Sequence, residues 1–137
     1  MQRRAFLGTL AGASTAGLAG CLGSGRSIEH DIGMSANAFL PAEFEVGVGE
    51  RVTWANTGSR SHSVTAYGRA IPETAEYFAS GGFDSEQVAR NAWFGKAGGV
   101  ISSNETYERT FEVPGRYEYF CIPHEPAGMV GTVVVGQ

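Results

Sequence analysis

Three side chains that can bind a soft metal lie within nine residues of one another near the end of the chain. The stretch Tyr117–Val135, YEYFCIPHEPAGMVGTVVV, contains Cys121, His124 and Met129. Large side chains alternate before the cysteine, and β-branched residues follow the methionine, so two strands are predicted to flank a loop. Two prolines stiffen that loop. The pattern predicts a thiolate, an imidazole and a thioether presented from one tight turn.

This set of donors indicates copper. Methionine is a poor ligand for zinc, calcium or magnesium, whereas its soft sulfur stabilises Cu(I). Two histidines, one cysteine and a weak axial methionine form a blue-copper site, so a second histidine is required. His62 stands at the start of a predicted strand in SHSVTA, whereas His30 lies on a polar strand edge and is interpreted as a solvated surface residue. We therefore predict one copper ion, bound by His62, Cys121, His124 and Met129.

The second cysteine, Cys21, leaves two interpretations of Cys121. The simpler alternative is a Cys21–Cys121 disulfide in an oxidising compartment. If Cys21 carries a lipid instead, Cys121 is a single thiol, and the histidine and methionine beside it favour a ligand role. Met34 is interpreted as packing in the core of a strand.

The N-terminal residues have the layout of an export signal. Adjacent Arg3 and Arg4 precede a weakly hydrophobic stretch rich in Ala, Gly and Leu, which ends in small residues before Cys21. The arginine pair resembles the twin-arginine type of signal, and the ending LAGC resembles a lipobox. We expect a signal peptide at 1–20, lipid attachment at Cys21 and a linker at 21–27. The mature protein would then be exported and anchored by its N-terminal lipid to the outer face of the cell membrane.

Composition and charge exclude several classes of protein. The chain has 137 residues and a formal net charge of −4, which indicates one domain, at 28–137, and disfavours a nucleic-acid partner. A copper enzyme would need further histidines, and only His30 remains, so we expect no enzyme activity. A zinc-stabilised domain is disfavoured, because zinc would not use Met129 as a ligand. A copper carrier or delivery protein of the cell envelope is the alternative that the same ligands permit. We expect a monomer.

Short runs of β-forming residues, separated by Gly, Asn and Pro turn signals, predict a β-sandwich or barrel. A helical insertion is predicted at about 70–100, with one helix over Ile71–Ser80 and a second that is capped by Asp84 and runs to about Gly95. We expect this insertion to cover an edge of the sandwich. The predicted strands are Ile28–Met34, Glu43–Val48, Arg51–Asn56, Ser63–Tyr67, Thr106–Val113, Arg116–Cys121 and Thr132–Val135.

Four stretches of the chain resemble a known family. They are FCIPHEPAGMVGTVVV, SHSVTA, FLPAEFEVGVGERVTWANTG and FEVPGRYEYFC. Over residues 28–136 the sequence resembles the plastocyanin-like cupredoxins, and most closely the halocyanins, membrane-associated blue-copper proteins of halophilic archaea. The resemblance implies an all-β, cupredoxin-like Greek-key β-sandwich of about eight strands. It also implies that the protein shuttles single electrons between a protein donor and a protein acceptor of a membrane electron-transport chain.

The resemblance also suggests where a partner docks. Pro123, Ala127 and Gly128 would form a small apolar rim around His124. Ser63 stands where many relatives have asparagine, so a hydroxyl replaces an amide in any bond that joins the ligand loops or reaches the thiolate. Phe120 stands where plant plastocyanins have a tyrosine on a lateral electron path, which favours the His124 face for docking.

Overall fold

The structure, a computed structural model, describes residues 28–136 of the chain. The predicted signal peptide, Cys21 and the linker lie outside the described residues. Eight strands form two four-stranded sheets, so the predicted eight-stranded β-sandwich is confirmed. The strands are β1 (Ile32–Met34), β2 (Phe39–Leu40), β3 (Glu43–Gly47), β4 (Arg51–Asn56), β5 (Thr65–Ala66), β6 (Thr106–Thr110), β7 (Gly115–Phe120) and β8 (Val130–Gly136).

The two sheets mix parallel and antiparallel pairs. The first has the strand order β2-β1-β4-β6 and the second the order β3-β8-β7-β5. Strands β1 and β4 are parallel, as are β3 and β8, and the other pairs are antiparallel. The last strand, β8, therefore lies between β3 and β7 in the middle of the second sheet.

Aromatic side chains fill the space between the sheets. Trp54 of β4 is fully buried, and its ring centroid lies 5.4 Å from that of Tyr119 and 5.5 Å from that of Tyr107. Because alternate residues of a strand face the same side, Tyr117 and Tyr119 of β7 point the same way as Cys121, which follows the strand. All three are buried. The cysteine thus continues the line of core side chains at the end of its strand.

The predicted strands differ from the observed ones mainly at their ends. Strand β1 begins at Ile32 instead of Ile28, and β5 is limited to Thr65–Ala66. Strand β2 was not predicted, because two residues are too short to show an alternating pattern. Its Phe39 is nevertheless buried and pairs with Met34, which is also buried as predicted.

The helix predicted over Ile71–Ser80 is wrong. A turn closed by the bond from Ala75 N–H to Pro72 O is followed by extended chain. Ser80 N–H donates to Val64 O, and Ala66 N–H donates to Phe78 O, so this segment pairs with the chain around β5. Phe78 is buried in the core, and this tertiary packing outweighs the local helix signal.

The second predicted helix is confirmed as α1 (Glu86–Lys96), with a different cap. The side chain of Ser85, not Asp84, accepts the hydrogen bond from Val88 N–H. The helix ends at Lys96, and the capping residue Ala97 adopts the left-handed conformation with φ of 55°. Within residues 28–136, no helix is long and apolar enough to cross a membrane.

Candidate metal centre

Three predicted ligands come together at one end of the sandwich. Cys121 follows β7 directly, and His124 lies in a 3-10 helix, Ile122–Ala127, that leads from β7 toward β8. His62 comes from a different part of the chain, between β4 and β5. The nitrogen and sulfur donor atoms of these three residues all lie within 4.8 Å of one another.

The spacing of these donors fits a single metal ion. Cys121 Sγ lies 3.5 Å from His62 Nδ1 and 3.5 Å from His124 Nδ1. Metal bonds of about 2.0–2.3 Å, at angles between tetrahedral and trigonal, would separate a sulfur and a nitrogen donor by roughly 3.5–3.8 Å. The sulfur therefore lies, from each of the two nitrogens, at the separation expected when both donors bind the same metal ion.

The backbone of His62 is fixed from both sides. His62 N–H donates to Ile101 O at 3.2 Å, and Ile101 N–H returns a bond to His62 O at 2.7 Å. The buried Asn56 amide donates to the carbonyls of Arg60 at 2.6 Å and Ile101 at 2.8 Å. Asn56 also accepts from Gly58 N–H, so one side chain shapes the whole turn that precedes the histidine.

Ser63 joins the two segments that carry the donors. Its hydroxyl oxygen accepts a bond from Ile122 N–H at 2.9 Å, and its backbone N–H donates to Cys121 Sγ at 3.4 Å. All three residues are buried. Both contacts that the sequence left open, to the ligand loop and to the sulfur, are thus present with serine at this position.

The ligand loop is closed by its own backbone. Cys121 N–H donates to Met129 O at 3.1 Å, and Met129 N–H donates to His124 O at 3.2 Å. Gly128 has φ of 90°, a left-handed conformation that suits glycine and turns the chain back toward β8. The Met129 side chain is fully buried in the same core cluster as Cys121. These bonds place the methionine beside the cysteine and histidine instead of in solvent.

Burial shifts the pKa of all three donor side chains. Burial lowers the pKa of His62, and the neighbouring His124 lowers it further, while the Ser35 backbone acts in the opposite direction. Burial also lowers the pKa of His124. Both imidazoles are therefore neutral at neutral pH, the form in which a ring nitrogen can bind a metal. Burial raises the pKa of the Cys121 thiol, and the Ser63 backbone N–H opposes that rise by stabilising the thiolate.

A charged network covers the outer side of the ligand loop. Arg90 of α1 donates to both carboxylate oxygens of Glu125, at 2.8 and 3.2 Å, and its guanidinium carbon lies 4.3 Å from the Phe120 ring centroid. Tyr67 O–H donates to Glu125 at 2.7 Å, and the Tyr67 ring stacks on Phe120 at 4.3 Å. Because Arg90 and Tyr67 stabilise the carboxylate, the pKa of Glu125 is lowered. Glu86 completes the network through its ion pair with Arg90 at 2.8 Å.

His30 lies apart from the other two histidines. His30 is exposed, its Nδ1 lies 2.6 Å from Ile28 O, and it takes no part in the cluster. Around His124, Ala127 and Gly128 are exposed and Pro123 is half-buried, so the predicted rim reaches the surface.

Sequence reasoning missed the roles of Asn56, Arg90 and Glu125. An Asn-Thr-Gly turn signal at residue 56 was visible, but nothing in the sequence pairs a helix arginine with a glutamate 35 residues later.

Two stacked sheets with a buried Cys and two His at one end define a cupredoxin. Residues 27–136 match the family described as "Copper binding proteins, plastocyanin/azurin family", and the chain belongs to that family. The chloroplastic plastocyanin of Oryza sativa subsp. indica is 31% identical over 137 residues, which cover 96% of this chain and 80% of that protein. Plastocyanin of Solanum tuberosum is 32% identical over 98 residues, which cover 72% of this chain and 87% of that protein.

Solved structures show the same fold. An oxidised variant of amicyanin superposes with a TM-score of 0.55 at 24% identity, covering 76% of this chain and 78% of that chain. A purple cupredoxin from Nitrosopumilus maritimus superposes with a TM-score of 0.52 at 23% identity, covering 79% of this chain and all of the other. Family membership and the His-Cys-His cluster together support one copper ion as the cofactor.

Proposed function

We propose that this protein is a blue copper electron carrier of the halocyanin type, and not an enzyme. The observation that carries the proposal is the position of the buried Cys121 sulfur, 3.5 Å from one ring nitrogen of each of two histidines. Family membership supports the same function. The cluster uses His62 and His124 but not the exposed His30, so the described residues supply ligands for one copper ion.

The proposed ligands are His62, Cys121, His124 and Met129. Bound copper supplies a one-electron couple between Cu(II) and Cu(I). The thiolate of Cys121 and the two imidazoles would hold the ion most strongly, and the Met129 thioether would be a weaker, soft donor that favours Cu(I). The assignment of Met129 is supported by its complete burial and by its backbone bonds to Cys121 and His124.

The fold holds the donor side chains rigidly, which favours fast electron transfer. His62 is held by Ile101 and Asn56, while Ser63 ties the ligand loop to the His62 segment. These bonds are made by the chain itself, so the donors are positioned before any metal arrives. Donors that cannot move keep the geometry similar in both oxidation states, and a small rearrangement means a low barrier. The surrounding core also excludes water from the sulfur, since Cys121 is fully buried.

The proposed docking face surrounds His124. This ring is half-buried, whereas Cys121 and His62 are fully buried, so His124 is the member of the cluster nearest to solvent. Pro123, Ala127 and Gly128 would form the contact rim for a protein donor or acceptor. On the lateral side, Phe120 is fully buried and lies under Arg90, which supports docking at the His124 face.

The N-terminal sequence supports a membrane-bound carrier. A twin-arginine signal at 1–20 followed by acylation of Cys21 would place a monomeric domain on the outer face of the cell membrane. The short linker at 21–27 would keep the copper domain near membrane-bound partners.

The proposal is tested by the visible spectrum of the protein loaded with Cu(II). A thiolate bound to Cu(II) should give an intense band at about 600 nm that disappears when ascorbate reduces the metal. Cys121→Ser and His62→Ala should abolish the band, and His30→Ala is the matched control that should leave it intact.

A wild-type Cu(II) complex without this band would refute the blue-copper site. Slow electron self-exchange in a protein that has the band would favour the alternative function, copper delivery.

A further inference from the structure

Arg90 links helix α1 to the ligand loop. On one side its guanidinium makes two parallel hydrogen bonds to Glu125, the residue after His124. On the other side it lies 4.3 Å from the ring centroid of Phe120, the residue before Cys121. One side chain therefore contacts both ends of the segment that holds two of the three clustered donors.

The contacts of Arg90 have a defined geometry. A guanidinium that pairs with both oxygens of a carboxylate fixes the orientation of both groups, which a lysine ammonium cannot do. The side chains of Arg90 and Glu125 are 27% and 28% exposed, so water screens them less than a surface pair. Tyr67 adds a bond to the same carboxylate and a stacking contact to the same phenylalanine.

Other contacts of the helix and of the chain around it point to the same role. Glu86 pairs with Arg90 one turn away and accepts a bond from Gly68 N–H at 3.0 Å, which orients the arginine. At the other end of the insertion, Ser80 O–H donates to Gly99 O at 2.6 Å and accepts from Val64 N–H at 3.1 Å. The insertion is thus fixed to the His62 side at Ser80 and to the Cys121 side at Arg90.

We propose that Arg90 is a positioning residue that, with Glu125, Phe120 and Tyr67, holds the ligand loop closed over the metal centre. We call these four residues the clasp. The inference rests on the proposed copper function for what the loop binds, but the closure itself is a property of the chain. Backbone bonds within the loop, such as His124 N–H to Cys121 O and Gly128 N–H to Glu125 O, join residues of one short segment. The clasp instead joins this segment to a separate helix, so it resists movement of the loop as a unit.

The first experiment measures amide hydrogen exchange in the copper-free protein, residue by residue. Arg90→Met keeps an unbranched apolar stem over Phe120 but removes the charge, both hydrogen bonds to Glu125 and the bond to Glu86. We expect exchange at His124, Gly128 and Met129 to become about tenfold faster, equivalent to about 1.4 kcal/mol of local opening. Amides of the central strands should be unchanged. Arg116→Met is the matched control, because Arg116 also pairs with two glutamates but lies at the far end of β7.

The second experiment uses copper-loaded protein. Arg90→Met should increase the rate of copper loss to a chelator about tenfold and shift the visible band, whereas Arg116→Met should change neither. Arg90→Lys, which keeps the charge, should show an intermediate effect. In the double variant Arg90→Met, Glu125→Gln the effects should be less than additive, since the two residues act through each other.

The clasp is refuted if Arg90→Met lowers global stability while exchange in the loop and copper loss stay at the level of Arg116→Met. If Arg90→Met fails to fold, the same decision follows from Arg90→Lys and Glu125→Gln, each of which keeps most of the packing. A wild-type protein without a blue band would refute the copper site and leave the exchange result of the copper-free protein as the separate test of the clasp.

Discussion

Replacing Ser63 with alanine should loosen the junction between the two ligand-bearing segments. The change removes the acceptor of the Ile122 N–H, which now lies 2.9 Å from the Ser63 hydroxyl oxygen. Ile122 is 4% exposed and Ser63 is 1% exposed, so water cannot replace the lost partner. A buried N–H without an acceptor costs roughly 1–3 kcal/mol. The hydroxyl also lies 3.4 Å from Thr65 Oγ1, a long contact that adds little.

The assay is urea unfolding of the copper-free protein. We expect the free energy of unfolding of Ser63→Ala to fall by about 2 kcal/mol, within the range above. Ser103→Ala is the matched control, because its hydroxyl donates to Gly58 O at 2.6 Å on an exposed surface, where water can take over. The control should stay within about 0.5 kcal/mol of the wild type.

The copper site of Ser63→Ala should be less affected than its stability. The bond from Ser63 to Cys121 Sγ comes from the backbone N–H, which alanine retains. The blue band should therefore persist in Ser63→Ala. Equal unfolding free energies for Ser63→Ala and Ser103→Ala would refute the bridging role, and loss of the band would show that the hydroxyl positions the sulfur.

Four further predictions concern other parts of the chain. Met129→Leu should raise the midpoint potential and Met129→Gln should lower it, both with copper retained, as voltammetry can show; an unchanged potential in both would exclude an axial role. Cys21→Ala should move the protein from the detergent-released membrane fraction to the soluble fraction, and retention on the membrane would argue against a lipid anchor at this residue. Gly131→Ala should cost roughly 1–3 kcal/mol in thermal unfolding, because a Cβ there would lie 2.5 Å from the buried ring of Tyr119; a stable variant would mean that the ring can move. Burial raises the pKa of Tyr107 from 10.0 to about 12. The contribution of the neutral Tyr107 side chain to the free energy of unfolding should therefore be fully present below pH 10 and be lost as the pH rises toward 12; Tyr107→Phe should show a shallower fall.

Much of the fold could be predicted because local patterns and tertiary packing agree. Strand β4 was predicted with its observed ends, since Val52 and Trp54 alternate with more exposed residues and the turn at Asn56 ends the run. The ligand loop could be predicted because Cys121, His124 and Met129 lie within nine residues of one another, so a single short loop carries all three. His62 could be selected over His30 because it leads into a buried strand.

The errors occur where distant residues decide the local structure. Ile71–Ser80 has a good helix start, but pairing with the chain around β5 and burial of Phe78 make its end extended. The contact between Arg90 and Glu125 could not be predicted, because it depends on where α1 packs after the chain has folded. The hydroxyl of Ser63 was correctly singled out, yet only the structure shows that it receives the Ile122 N–H.

The position of the last strand has a consequence for the order of events during synthesis. Strand β3 pairs in register with β8, so Glu43 can pair only after Thr132, 89 residues later in the chain, has been synthesised. Until then the polar backbone edge of β3 has no neighbour in its sheet, and β7 is paired on one side only, with β5. The first sheet needs nothing beyond Thr110, whereas the second is complete only once β8 has been made. The segment that carries Cys121 and His124 therefore takes its final place only after β8 has been synthesised.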